Sequence, residues 1–180
     1  MVEYESWAEE PPGWKTEGRE SLTRIIEEIC QQINAVKPKM ADISEQKQLF
    51  ELLNTVSEQP GSGLKPRTEE YIRKNIHNFI TIYDEETLVA CGELIELDSG
   101  TIELGAVATN VEYQNQWMSD KILDFAERRI HEQWKSIIIV TDNPILIRRL
   151  EKRRYTEVTV IYTKRSEQSP GKKVYTKYFY

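Results

Sequence analysis

Residues 103–123 read Glu-Leu-Gly-Ala-Val-Ala-Thr-Asn-Val-Glu-Tyr-Gln-Asn-Gln-Trp-Met-Ser-Asp-Lys-Ile-Leu, and this stretch decides the fold. An apolar strand runs directly into a polar loop, and the loop opens an amphipathic helix. Where a helix begins, backbone N–H groups lack partners and the helix dipole is positive. The stretch therefore predicts a strand–loop–helix unit whose loop points N–H groups at an anion.

The segments around this stretch predict a mixed sheet. Upstream, three runs with period two indicate an antiparallel meander. These runs are residues 79–83, 87–97 and 101–109. Downstream, a helix after Ser119 carries apolar residues on one face, and the buried strand 136–141 follows it. Because strand, helix and strand form a crossover unit, we expect one parallel step in an otherwise antiparallel sheet.

The rest of the sequence supplies further elements. Helices are expected over residues 21–33, after a cap at Asp42 or Ser44, from Thr68 to near Asn78, and over residues 143–153. Strands are expected over residues 34–40, 157–163 and 173–180. Helices and strands thus alternate along the chain, which predicts an α/β domain.

The N-terminal residues form a separate region. Residues 1–18 are rich in charge, yet they also carry Trp7 and Trp14. Exposed tryptophans are unusual in a solvated tail, so we expect this arm to dock on its own domain, on a protein partner or on a second subunit of a homo-oligomer. We divide the chain into an arm with a short helix, residues 1–34, and a domain, residues 35–180.

Composition argues against several classes of function. The formal net charge of −6 disfavours a nucleic-acid surface. The longest aliphatic run, residues 137–140, is far shorter than the ~20 residues that a membrane-spanning helix needs. Cys30 and Cys91 form no ligand-spaced pair, so we expect no metal site and a buried thiol at Cys91. We therefore expect a soluble cytoplasmic protein that neither binds nucleic acid nor inserts into a membrane.

Residues 114–119, Gln-Asn-Gln-Trp-Met-Ser, resemble the Gln/Arg-x-x-Gly-x-Gly/Ala loop of the GCN5-related N-acetyltransferases (GNAT). The order of elements over about residues 36–180 is similar to that of the whole fold. Leu88-Val89-Ala90-Cys91-Gly92 resembles the third strand, and residues 64–70 resemble the segment before the second helix. Within the superfamily, the nearest resemblance is to the amino-acid (glutamate) N-acetyltransferases. It implies the acyl-CoA N-acyltransferase fold, a mixed and mostly antiparallel sheet flanked by helices.

The resemblance also implies roles for individual residues. Glu103, at the start of the fourth strand, would be the catalytic base, and acetyl-CoA would be the co-substrate. The strand backbone would pair with its pantetheine arm, the loop would hold its pyrophosphate, and an asparagine after the fifth strand would contact it. The residues so implied are Val107, Ala108, Thr109, Gln114, Asn115, Gln116, Trp117, Met118, Ser119 and Asn143. Arg67 is our candidate for binding an acceptor carboxylate, because guanidinium groups hold carboxylates bidentately.

Three positions depart from the pattern of the family. Trp117 stands where the loop has its first glycine, and it brings a side chain of ~200 Å² to a place where the backbone should approach a pyrophosphate. Leu150 replaces a tyrosine that many relatives use to protonate the departing thiolate, and Arg154 replaces a glycine. Structural alternatives also exist: Glu103 as a solvent-facing strand residue, Asn143 as a helix start, and Trp117 packed over the loop.

Two functions therefore compete. The first is acetyl-CoA-dependent acetylation of a small primary amine such as an amino acid, which Glu103, Gln114 and Asn143 favour. The second is a GNAT-fold protein that has lost acetyl-CoA and serves as a binding, regulatory or assembly subunit, which Trp117, Leu150 and Arg154 favour. The tryptophan in the loop predicts that acetyl-CoA binds weakly and that Trp117→Gly strengthens its binding.

Overall fold

Seven strands form one sheet in a computed structural model that describes residues 24–25, 36–98, 100–133, 136–158 and 172–179. The strands are β1 (Pro38–Met40), β2 (Phe79–Asp84), β3 (Thr87–Asp98), β4 (Thr101–Thr109), β5 (Ser136–Thr141), β6 (Thr156–Val158) and β7 (Lys173–Tyr178). Their order across the sheet is β1-β2-β3-β4-β5-β7-β6. Neighbouring strands are antiparallel except β4 and β5, which run parallel. The predicted meander and the single parallel step are confirmed.

Four α-helices flank the sheet within the same ranges. They are α1 (Gln46–Ser57), α2 (Glu69–Asn75), α3 (Met118–His131) and α4 (Pro144–Lys152). Asp42 caps the 3-10 turn that leads into α1, and the Thr68 hydroxyl caps α2 by accepting the N–H of Tyr71 at 3.1 Å. Both caps agree with the sequence prediction. The helix expected to reach Asn78 ends as an α-helix at Asn75 and tightens into a 3-10 turn.

Some predicted elements lie outside the described residues. The arm over residues 1–18 is one, and the strand over residues 157–163 is described only as far as Val158. Of the helix expected over residues 21–33, the structure describes Arg24 and Ile25, which are helical. The chain divides into two units, and the sheet belongs to the second. These units are Met1–Val36 and Lys37–Tyr180.

Different helices cover the two faces of β3. Cys91 belongs to an apolar cluster that includes Leu49 and Leu53 of α1 and Ile72 of α2. A Cβ on the next residue, Gly92, would come within 2.6 Å of a methyl group of α3, so only glycine lets this helix approach so closely. Because neighbouring strand residues point to opposite faces, α3 packs on the face away from α1 and α2.

Candidate functional site

β4 and β5 separate part of the way along their length. In the described residues they pair only from Thr101 to Glu103, opposite residues 136–138. Beyond Glu103, β4 stays with β3 as far as Thr109, while β5 stays with β7 as far as Thr141. A gap therefore opens between the two parallel strands. Backbone N–H and C=O groups on the edges that face this gap can bond a ligand.

A β-bulge in β4 lies beside this gap. Ala106 and Val107 both lie opposite the single residue Gly92 of β3. Ala106 has a φ of 48°, in the left-handed region that costs a residue other than glycine ~1–2 kcal/mol. A bulge bends its strand and turns backbone groups out of the regular ladder. The sequence analysis did not predict this feature.

The gap forms part of a cavity of about 620 Å³, called here the larger cavity. Residues of β4, the end of β5 and the first turns of α3 and α4 line it. Among the residues predicted to contact acetyl-CoA, four contribute to the lining. They are Val107, Thr109, Ser119 and Asn143. Ala108 and Met118 are instead buried, at 2% and 7% exposure.

The loop before α3 adopts the conformation that glycine favours. Asn115 and Trp117 have φ values of 64° and 63°, and Trp117 is the N-cap of α3. The side chains of Gln114 and Gln116 bond other parts of the protein, Gln59 Oε1 at 3.2 Å in the first case and a main-chain carbonyl at 3.0 Å in the second. The backbone of this loop is thus left-handed at Asn115 and at Trp117, although neither residue is a glycine.

The Trp117 ring faces outward and contacts an arginine of α4. The side chain is 69% exposed, and the guanidinium carbon of Arg149 lies 5.7 Å from the ring centroid. Arg149 Nη1 also donates to Ser119 Oγ at 3.1 Å and to Asp120 Oδ2 at 2.9 Å. Arg153 bonds the other oxygen of Asp120 at 3.3 Å. Since Arg149, Ser119 and Asp120 line the larger cavity, Arg149 connects that cavity to the Trp117 ring.

Asn143 lines the larger cavity and also caps α4. Its Oδ1 accepts the backbone N–H groups of Ile145 and Leu146, at 2.9 and 3.3 Å. Its own N–H donates to Thr141 Oγ1 at 3.0 Å. The side-chain oxygen therefore fulfils the structural role that an Asn-Pro dipeptide predicts.

A second cavity, of about 410 Å³ and called here the smaller cavity, adjoins the first. Gly105, Ala106 and Lys172 line both cavities, so the two meet at the bulge of β4. Glu103 and Arg67 line the smaller cavity, which brings the predicted base and the predicted carboxylate-binding residue to one place. Glu103 is 7% exposed and is therefore not a solvent-facing strand residue.

Glu93 is a buried carboxylate that the sequence analysis missed. Its side chain is 1% exposed, and its Oε2 lies 3.4 Å from Arg67 Nη2. Its Oε1 accepts a hydrogen bond of 2.5 Å from the Tyr71 hydroxyl. The guanidinium carbon of Arg67 lies 5.2 Å from the centroid of the Tyr71 ring. Nη1 of Arg67 donates to the Lys65 carbonyl at 3.2 Å. These contacts fix Arg67 at the wall of the smaller cavity.

The alternation of β3 could have revealed this carboxylate. Val89, Cys91 and Glu93 are two residues apart, so a strand places them on one face. A charge on an otherwise apolar face requires a buried partner. The identity of that partner could not be predicted, because only tertiary packing brings α2 to β3.

Two of the departures from the family pattern lie at α4. Leu150 is fully buried and packs in the core. Its aliphatic side chain has no proton to donate to a leaving group. Arg154 has a φ of 65°, in the left-handed region that glycine adopts most readily. The N–H of the next residue, Tyr155, donates to the Leu150 carbonyl at 3.0 Å and closes the end of the helix.

Other chemistry finds little support in the described residues. Burial raises the pKa of the Cys91 thiol to about 12, so it stays protonated and is a poor nucleophile. No group of three or more His, Cys, Asp or Glu side chains in the described ranges could hold a metal ion. In the same part of the chain, no helix combines the length and the apolar character that crossing a bilayer requires.

Several solved structures share this fold. N-acetylglutamate synthase from Neisseria gonorrhoeae, complexed with coenzyme A and N-acetyl-glutamate, matches 81% of this chain with a TM-score of 0.70 and 14% identity. That match covers only 35% of the synthase chain. PaiA N-acetyltransferase from Thermoplasma acidophilum, in complex with coenzyme A, matches 80% of this chain and 99% of its own, with a TM-score of 0.65 and 13% identity.

A GNAT-family acetyltransferase from Staphylococcus aureus has a TM-score of 0.65 and 18% identity, over 81% of this chain and 99% of its own. No sequence-family model matches the chain, and no curated protein is similar to it in sequence. At these identities the likeness concerns the fold. The mixed, mostly antiparallel seven-stranded sheet with its flanking helices matches these structures, and the α/β domain has the acyl-CoA N-acyltransferase (GNAT) fold.

Proposed function

We propose that the protein is an acetyl-CoA-dependent N-acetyltransferase that acts on a small primary amine, and that this amine is an amino acid. The observation that carries the proposal is the meeting of two cavities at the bulge of β4, with Glu103 in the smaller one. An acyl donor and an acceptor that enter from the two cavities would meet beside a carboxylate. Acetyl-CoA would supply the acetyl group as a thioester.

The larger cavity suits acetyl-CoA. Its volume of about 620 Å³ is within the range of ~300–1,000 Å³ that is typical of small-molecule sites. The β4 backbone over residues 107–109 can pair with an amide-bearing chain, and the start of α3 offers N–H groups and a positive dipole to a pyrophosphate. Asp120 would repel that group, but Arg149 and Arg153 both bind its carboxylate and offset the charge.

The smaller cavity suits an amino acid. Lys65, Arg67 and Lys172 line it together with Glu103. A cationic side chain can hold the carboxylate of an amino acid, while Glu103 faces its amine. Arg67 is the residue we propose for the carboxylate, because its contacts with Glu93 and Tyr71 hold the guanidinium in one orientation.

Catalysis would combine orientation with general-base assistance. The amine nitrogen attacks the thioester carbonyl carbon, and Glu103 takes the amine proton, directly or through a water molecule. The carbon–sulfur bond then breaks, an amide is formed, and the thiolate leaves. Leu150 is buried and has no proton to give, so the thiolate would be protonated by water.

The second candidate is a GNAT-fold protein that does not catalyse and serves as a binding, regulatory or assembly subunit. Asp120 favours this function, because its carboxylate lines the larger cavity in the first turn of α3, where a pyrophosphate would lie. Trp117 and Leu150 favour it by their departure from the family motifs. Its partner would be reached through the arm over residues 1–34.

The test measures both the binding of acetyl-CoA and the acetylation of amines. Acetyl-CoA is titrated calorimetrically, and acetylation of the standard amino acids and of spermidine is followed by thiol release. Glu103→Gln should lower the rate ~10²–10⁴-fold, the usual contribution of a general base, while the affinity for acetyl-CoA stays the same. Glu86→Gln, in the exposed turn between β2 and β3, is the matched control and should retain full activity.

Two outcomes contradict the proposal. Absence of both acetyl-CoA binding and acetylation would support the second candidate. Full activity of Glu103→Gln would mean that another group takes the proton, and the role of Glu103 would have to be abandoned.

A further inference from the structure

Trp117 combines two features that do not stabilise the fold. Its φ of 63° is unfavourable for a residue with a side chain, and its indole ring is 69% exposed rather than packed in the core. Strained residues of this kind persist where a function requires them, and exposed aromatic rings mark contact sites. We therefore expect the ring to contact a ligand or partner rather than the core of the protein.

The surroundings of the ring fit a flat ligand next to a phosphate. Arg149 lies 5.7 Å from the ring centroid and at the same time lines the larger cavity. Ile145, in the first turn of α4, is 61% exposed and lines the same cavity. Arg149 and Ile145 thus belong to the wall of the cavity, and Arg149 brings the aromatic ring of Trp117 next to that wall.

We propose that Trp117, with Arg149 beside it, is a stacking platform for the nucleobase of the CoA thioester. The inference rests on the proposed function, because it requires acetyl-CoA in the larger cavity. With the thioester beside the bulge of β4 and the pyrophosphate at the start of α3, the nucleoside would extend past the start of α3 towards the ring that Arg149 connects to the cavity wall. Every nucleobase has a π-face, so stacking on an indole ring needs no matching hydrogen bonds.

This role is opposite to the obstruction that the sequence predicts for a tryptophan in the loop. An obstructing ring would have to fill the space next to the loop amides. In the described residues, Trp117 is not part of the lining of the larger cavity, and its ring faces outward. The backbone at Trp117 is left-handed, which is a conformation that a glycine adopts readily. The N–H groups of the loop therefore have the conformation that a glycine at this position would give them.

The experiment compares two ligands on three variants of the full chain. Acetyl-CoA carries the nucleotide, and acetyl-pantetheine lacks it. Trp117→Gly removes the ring and tolerates the same φ, while Trp117→Phe keeps an aromatic face. Arg154→Gly is the matched control, since it relieves a similar left-handed φ in a different place, just after the end of α4.

Calorimetry should show that Trp117→Gly weakens acetyl-CoA binding by about tenfold to hundredfold, while Trp117→Phe and Arg154→Gly change it by less than about threefold. Binding of acetyl-pantetheine should be the same in all variants. Unchanged or tighter acetyl-CoA binding by Trp117→Gly overturns the platform and leaves the proposed function standing. Equal losses for both ligands also overturn it. If the unmodified chain does not bind acetyl-CoA, the proposed function and the platform both fail.

Discussion

The two cavities share the bulge of β4, but their charges are held in different ways. At the smaller cavity, Arg67 of the wall pairs with the buried Glu93, and their side chains are 16% and 1% exposed. In the larger cavity, the side chains of Arg149 and Asp120 are 33% and 15% exposed. Removal of one partner from a buried pair leaves an uncompensated charge in a medium of low dielectric constant, whereas water can solvate a charge near the surface. The ion pair at the smaller cavity should therefore matter more for stability than the pair at the larger cavity.

The largest effect should follow from breaking the buried pair. Glu93→Ala leaves Arg67 without its carboxylate and Tyr71 without its acceptor, so we expect the free energy of unfolding to fall by ~3–5 kcal/mol. Urea denaturation measures the loss. The double variant Glu93→Met/Arg67→Met should lose less stability than the sum of the losses of Glu93→Met and Arg67→Met. If Glu93→Ala lowers the free energy of unfolding by less than ~1 kcal/mol, the ion pair at the smaller cavity contributes no more than the one at the larger cavity, and the comparison fails.

The same type of change in the larger cavity should cost much less. Arg149→Met keeps the length of the side chain and removes an ion pair that is partly exposed, so we expect a loss of no more than ~1 kcal/mol. Arg67→Met is the matched variant in the smaller cavity and should cost several times as much. Equal losses for the two arginines, measured by urea denaturation, would contradict the comparison.

The smallest effect should be a gain in stability at Arg154. Its φ of 65° costs ~1–2 kcal/mol, and Arg154→Gly removes that strain while adding ~0.5–1 kcal/mol of entropy to the unfolded chain. We expect a net gain of ~0.5–1 kcal/mol, visible as a higher melting temperature. Arg154→Ala keeps the strain and is the control. A less stable glycine variant would show that the arginine side chain contributes more than its backbone costs.

Local signals account for the parts of the fold that could be predicted. The caps at Asp42 and Thr68 depend on residues within one turn of the chain, and the sequence named Thr68 and gave Asp42 as one of two candidates. The period-two pattern predicted the bounds of β4. The order of β4, α3 and β5 along the chain predicted that β4 and β5 run parallel. The bulge at Ala106 was not predicted, although Gly105 beside it is the kind of strand residue that often marks a bulge.

The site was predicted only where a motif or a charge type pointed to it. Glu103 and Arg67 were named from the sequence and lie on one cavity. Glu93 and Asp120 were missed, because their importance comes from partners that are distant in the chain, Arg67 in one case and Arg149 in the other. The sequence placed Trp117 in the loop before α3, but it predicted neither the φ of this residue nor the exposure of its side chain.

Hydrogen exchange with and without acetyl-CoA tests most directly the central claim that acetyl-CoA binds between β4 and β5. A ligand that pairs with β4 and rests on the start of α3 should slow the exchange of backbone N–H groups at residues 105–109 and 117–120. Strands far from the gap, such as β1 and β2, should exchange at unchanged rates. Unchanged exchange over residues 105–109 in the presence of saturating acetyl-CoA, or protection confined to other segments, would contradict the claim.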